Sequence, residues 1–193
     1  AADPLSRPGV KEPVLANFGI SGTVLTYTGM PIVLHPKFET PGIRRRVREF
    51  YELLYRGTEK EFRDWAVERG ARYYLHRKGS YAGGDLRNAP PYMVDALEPP
   101  EDATWRILET TPERATWFMP VRISHPLYRL YRVIHPEDVE MAKSFTVMAR
   151  RRYVEGDLEQ AREWALRALT YHWKYLPARE VLARVRNAGP ASP

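Results

Sequence analysis

At His135 the hydrophobic pattern of the chain changes: short apolar runs separated by amphipathic helices give way to helices alone. No single repeating architecture accommodates both patterns. The spacing predicts an α/β domain over residues 1–134 and a helical annex over 135–193. A length of 193 residues suffices for one sizeable core and a small satellite.

In the first part, "PVLANF" (13–18) reads as a buried strand, "SGTVLTYTG" (21–29) as a short helix closed by Gly29, and "PIVLHPKF" (31–38) as a second strand. "PGIRRRVREFYELLYRG" then places Ile43, Val47, Phe50, Tyr51 and Leu54 on one helical face, with the arginines towards water. Thr58 and Glu61 form a capping box for the next helix, which buries Phe62, Trp65 and Ala66 and stops at Gly70. "ARYYLHR" (71–77) is a third strand. Strands joined by helices of this length predict a small, mostly parallel sheet with flanking helices. Residues 79–100, dense in Gly and Pro, read as a long flap, and "EDATWRILE" as a turn of helix. "TWFMPVRIS" and "YRLYRVI" read as a hairpin closing the sheet edge.

The annex begins with Pro136 at a first helical position and runs through Met141, Phe145 and Met148 to Tyr153. A second helix starts after Asp157, and "PAREVLARVRNAG" is a third. Ala149, Gly156, Ala161 and Ala168 are small residues where two helices of a hairpin approach closely. The phrase "RRYVEGDLEQAREWALRAL" resembles one tetratricopeptide repeat, although Pro177 comes late for its closing proline. Such a TPR-like hairpin implies a peptide or protein partner; plain helix packing is the alternative.

Composition narrows the classes. The chain is 44% hydrophobic and 12% aromatic, which speaks for a folded core. No run reaches the ~18 apolar residues of a membrane helix, and no signal-peptide core precedes the first strand, so the chain as given reads as soluble. It opens on "AADPLSRPGV" without a methionine, and a processed piece of something longer is the expectation. With no cysteine, disulfides and thiolate metal sites are excluded. A net charge of +6 tolerates anionic neighbours without naming one.

Ser21, at a strand-to-helix bend, is a candidate nucleophile, phosphate-loop residue or helix cap. A nucleophile elbow requires Gly-x-Ser-x-Gly, and here Gly19, Ile20, Ser21 and Gly22 are followed by Thr23. Neither a dinucleotide fingerprint nor a P-loop is present. The cap is therefore the preferred reading. A ligand-binding role remains for Asn17, Ser21 and Thr23, at the strand's C-terminal end. Asp85, Asp95, Glu98, Glu101 and Asp102 group in or beside the flap, and Asp85 joins the weak binding candidates. His35, His76, His125, His135 and His172 show no metal-ligand spacing, so no metal is expected. Arg44, Arg45, Arg46 and Arg48, and again Arg150, Arg151 and Arg152, form basic surfaces suited to headgroup phosphates, or plainly solvated helix faces. In "YRLYR" (128–132), alternation sets Tyr128 and Leu130 against Arg129 and Tyr131, as in a half-buried strand, and nucleic acid is disfavoured as a partner.

The stretch "PVLANFGISGTVLTYTGMPIVLHPKFETPGIRRRVREFYELLYRGTEKEFRDWAVERGARYYLHRKG", with the later "WFMPVRISHPLYRLYRV", resembles the soluble extracytoplasmic portion after the last membrane helix of GT-C type glycosyltransferases. These are relatives of protein mannosyltransferases and oligosaccharyltransferases. The resemblance spans roughly residues 10–135 and contains no catalytic motif. In that family the catalytic acids lie in loops between membrane helices, so no catalytic residue carries over. What it implies is a non-catalytic accessory domain on the periplasmic or cell-surface side. Such a domain is joined to the membrane part of the same polypeptide, near lipid headgroups, where it helps to position an acceptor or lipid-linked sugar. No cofactor is implied. The alternatives are a free-standing interaction module in the cytoplasm and a small α/β hydrolase using Ser21 and the flap carboxylates. Whether the chain belongs to an enzyme is left open, since it holds no complete active site.

Overall fold

A computed structural model describes residues 11–37, 39–79 and 99–188. The chain divides into two compact units between Val133 and Ile134. Among the described residues, four strands and seven helices account for its regular structure, apart from one 3-10 turn at Pro112–Arg114.

In the first unit, β1 (Val14–Ala16) leads into α1 (Phe18–Thr28), α2 (Pro41–Arg56), α3 (Glu59–Glu68) and β2 (Tyr73–Arg77). Then come α4 (Thr104–Thr110), β3 (Phe118–Val121) and β4 (Tyr128–Val133). The strand order is β1-β2-β4-β3. Only β1 and β2 are parallel; β2–β4 and β3–β4 are antiparallel. The sheet is thus mixed, and the expectation of a mostly parallel one is corrected. Strands joined by a short connection must run antiparallel, and the β3–β4 hairpin inserts β4 beside β2 in the sheet interior. β3 forms the edge.

The strand expected over 31–38 makes, among its described residues 31–37, a single parallel bridge, Ile32 to Val14. Pro31 and Pro36 lack the N–H that a ladder needs. The N–H of Lys37 is spent locally on His35 Nδ1 at 3.2 Å.

Strand alternation sorts the sheet's two faces. Val14, Tyr73 and Leu130 face one way and pack with Met30 and with Val24 of α1. Leu15, Tyr74, Tyr131 and Phe118 share registers on the opposite face. There Phe62 of α3 lies fully buried against Phe50, Tyr74 and Phe118, with ring centroids 5.7, 5.3 and 5.5 Å away. Burying one such ring contributes roughly 2–3 kcal/mol. The helices are set by their own caps. Thr40 Oγ1 accepts from Ile43 N, with Pro41 in the first turn of α2. Thr58 and Glu61 complete the expected capping box of α3. The Glu59 carboxylate accepts the N–H groups of Thr116, Trp117 and Phe118, tying the start of α3 to the start of β3.

The second unit consists of α5 (Pro136–Val154), α6 (Leu158–Tyr171) and α7 (Leu176–Ala188). A three-residue connection makes α5 and α6 antiparallel neighbours. Ala149, Ala161 and Ala165 are fully buried with Val181 of α7, and Ala142, Ala168 and Ala178 form a second cluster. Alanine here lets the helix backbones approach closely. Gly156 was expected at such an approach and lies instead in the exposed turn, at φ 81, where no atom would meet a Cβ. Its role is the left-handed backbone. Asp157 caps α6 by accepting from Gln160 N at 3.0 Å.

Candidate functional site

The bend after β1 does not assemble a site. α1 starts three residues earlier than expected, and its N-cap is Asn17, whose Oδ1 accepts from Gly19 N at 2.9 Å. Ser21 is therefore not the cap. It sits inside the helix and is 0% exposed, with no surface from which its Oγ can attack a substrate. Two positions further on, about 200° around the helix, Thr23 points to solvent. Asn17, Ser21 and Thr23 do not converge. Asp85, Asp95 and Glu98 lie outside the described residues, while Glu101 and Asp102 are exposed.

The basic runs are engaged by neighbours. Arg44 Nη1 donates to Glu39 O and Arg46 Nη1 to Val33 O. Arg48 pairs with Glu52 at 2.8 Å, and Arg45 lies 3.9 Å from Glu49. In the helical unit, Arg151 and Arg152 share Glu155, and Arg150 lies 3.9 Å from Glu180.

A polar cluster that was not singled out from the sequence does assemble, on the face of β2 and β4 beneath α4. His76, 1% exposed, has Nδ1 3.1 Å from the Tyr74 hydroxyl and Nε2 2.7 Å from Glu109 Oε2. Burial holds the imidazole below its ordinary pKa, against the opposite pull of Glu109. A neutral ring that accepts from Tyr74 and donates to Glu109 satisfies both contacts. Burial by itself would raise the Glu109 carboxyl. The hydrogen bonds from His76 and from Gly79 N, with the charge of Arg129, outweigh it and hold the carboxyl below its usual value.

Arg129 Nη1 donates to the carbonyls of Leu108 and Glu109, and the Tyr131 hydroxyl donates to Leu108 O. The last carbonyls of α4 have no helical partners, so these donors complete that helix end. Desolvation pushes the Tyr131 phenol up to about 12. The cluster locks the C-terminus of α4, and Gly79 just after β2, onto the sheet. His76 is enclosed while Glu109 is partly exposed, and the cluster acts as a latch between α4 and the sheet. The alternation Tyr74-x-His76 signalled a shared face. Nothing local signalled Glu109, which comes from a helix 33 residues further along. Among the described residues, no group of three or more His, Asp or Glu could hold a metal ion, and no helix is long and apolar enough to cross a membrane.

No protein-family model and no curated protein matches the chain. Among solved structures, its fold is similar to the C-terminal globular domain of an oligosaccharyltransferase, AfAglB-S2 from Archaeoglobus fulgidus. The TM-score is 0.50 and the identity 12%, over 66% of this chain and 89% of that one. At this identity, what the two chains share is the fold.

Proposed function

We propose that the α/β unit is a non-catalytic accessory domain of a GT-C type membrane glycosyltransferase, on the extracytoplasmic side, where it helps to position an acceptor or lipid-linked sugar. The observation that carries this reading is the fold likeness, which takes in 89% of a domain named as part of an oligosaccharyltransferase. The enclosure of Ser21 speaks against the hydrolase alternative. Arg45 and Arg48 of α2 are exposed and held only by i,i+4 carboxylates, and such pairs are worth ~1 kcal/mol or less, so headgroup phosphates can take these two over. The TPR-like helical unit supplies contacts to a peptide or protein partner.

The test is to read the frame upstream of Ala1. Several spans of ~20 apolar residues in the same frame are the expected result. A start codon directly before Ala1 would overturn the membrane-tethered reading.

A further inference from the structure

A groove of about 950 Å³ runs between α6 and α7, floored by Leu166, Leu169 and Leu176 and rimmed by Arg162, Arg179 and Arg186. Leu166 is 43% exposed and Leu176 64%. Ala178 and Val181 of α7 are buried in the core of the helical unit, and Val185, also buried, reaches the groove lining. Among the described residues, Leu166 and Leu176 thus leave an apolar surface uncovered along the groove.

Charge selects what covers it. Arg150, Arg151 and Arg152 each have a carboxylate within 4.0 Å. Among the described residues, Arg162, Arg179 and Arg186 have none. Glu180, the carboxylate in the groove lining, is already turned to Arg150. A second copy seated face to face would set these guanidinium groups against their own images, and such like-charge juxtaposition is costly. A partner with apolar residues flanked by carboxylates meets both the floor and the rim.

We infer that the α6/α7 groove is a docking site for an acidic amphipathic helix of a protein partner. Helix-in-groove recognition uses anchors at i, i+3, i+4 and i+7. The groove walls are helices of 14 and 13 residues, so they match about four turns, or ~20 Å, of such a helix. The inference deepens the partner-contact part of the proposed function and does not depend on the glycosyltransferase part.

The test uses the full 193-residue chain and a fluorescein-labelled helical peptide of ~14 residues with leucines at those anchor spacings and glutamates beside them. A control peptide carries lysines in place of the glutamates. The expected result by fluorescence anisotropy is binding of the glutamate peptide only, weakened about tenfold or more by raising salt from about 50 to about 500 mM. Arg162→Glu, Arg179→Glu and Arg186→Glu combined should abolish it. Leu176→Ser, an exposed change that leaves the helical circular dichroism intact, should weaken it too. Equal binding of the two peptides overturns the inference, as does binding that the charge reversals leave unchanged. A wild-type dimer in sedimentation that Leu176→Ser dissolves also overturns it, by making the groove a self-interface. The upstream frame bears on none of these outcomes, so the two readings fail separately.

Discussion

His76 and Glu109 make the folded first unit sensitive to acid. Both have folded pKa values below their ordinary ones of 6.5 and 4.5. On acidification the unfolded chain therefore takes up each proton before the folded chain does, and stability falls as it does so. The decline begins below about pH 6.5 through His76 and deepens below about 4.5 through Glu109. His76→Gln keeps a polar side chain and removes the first titration. It should lower stability by roughly 1–2 kcal/mol at neutral pH and flatten the fall in urea midpoint between about pH 7 and pH 5. An unchanged slope in that window would assign the acid sensitivity elsewhere. The residue scale is also where sequence reasoning on Ser21 went astray. A serine beside a glycine at a bend satisfies the local rule for a cap, but Asn17 satisfies it too, four residues earlier, and the helix starts there. Burial then decided the role of Ser21, and burial is set by neighbours distant in the chain.

Helix ends carry the next predictions. Asn17→Ala removes the acceptor for Gly19 N and should cost ~1 kcal/mol in urea denaturation. Gly57, between α2 and α3, looks dispensable from its ordinary φ of −79°. A Cβ there would nevertheless stand 2.7 Å from Leu53 O and 3.0 Å from Leu53 Cα, both backbone atoms. Gly57→Ala should therefore cost about 1–3 kcal/mol by forcing the backbone apart. Gly70→Ala, at φ 73 with open space around it, should cost about 1 kcal/mol through conformation alone. If Gly57→Ala proves the milder of the two, the close packing of the α2 C-terminus is wrong. Elements with local signals were legible: the Thr58 to Glu61 box, the Asp157 cap, Gly29 in the left-handed region, and the buried stripe Val47, Phe50, Tyr51 and Leu54. The segment 31–38 misled because its apolar residues imitate a strand while its prolines forbid the ladder.

For the molecule as a whole, the division near Val133 predicts that damage to one unit stays there. Ala165→Leu adds bulk where α6 is fully buried against α7 and should destabilise the helical unit by about 1–3 kcal/mol or more. In hydrogen exchange, amides of α5, α6 and α7 should lose protection while those of β2 and β4 keep theirs. Uniform loss would show the two units to be one cooperative body. The sequence by itself determined the presence of the helices, the Thr58 and Asp157 caps, the alternation within strands and the change to helices alone after His135. These follow from interactions within about four residues, which any reading along the chain contains. Only the tertiary structure decided the strand order, the mixed sheet, the enclosure of Ser21, the partnership of His76 with Glu109 and, among the described residues, which arginines pair with carboxylates. Closing a longer loop costs little more than closing a shorter one, so many strand pairings agree with one pattern. The side chains that meet across them, such as Arg150 with Glu180 or Tyr74 beside Tyr131, are fixed when one pairing packs best.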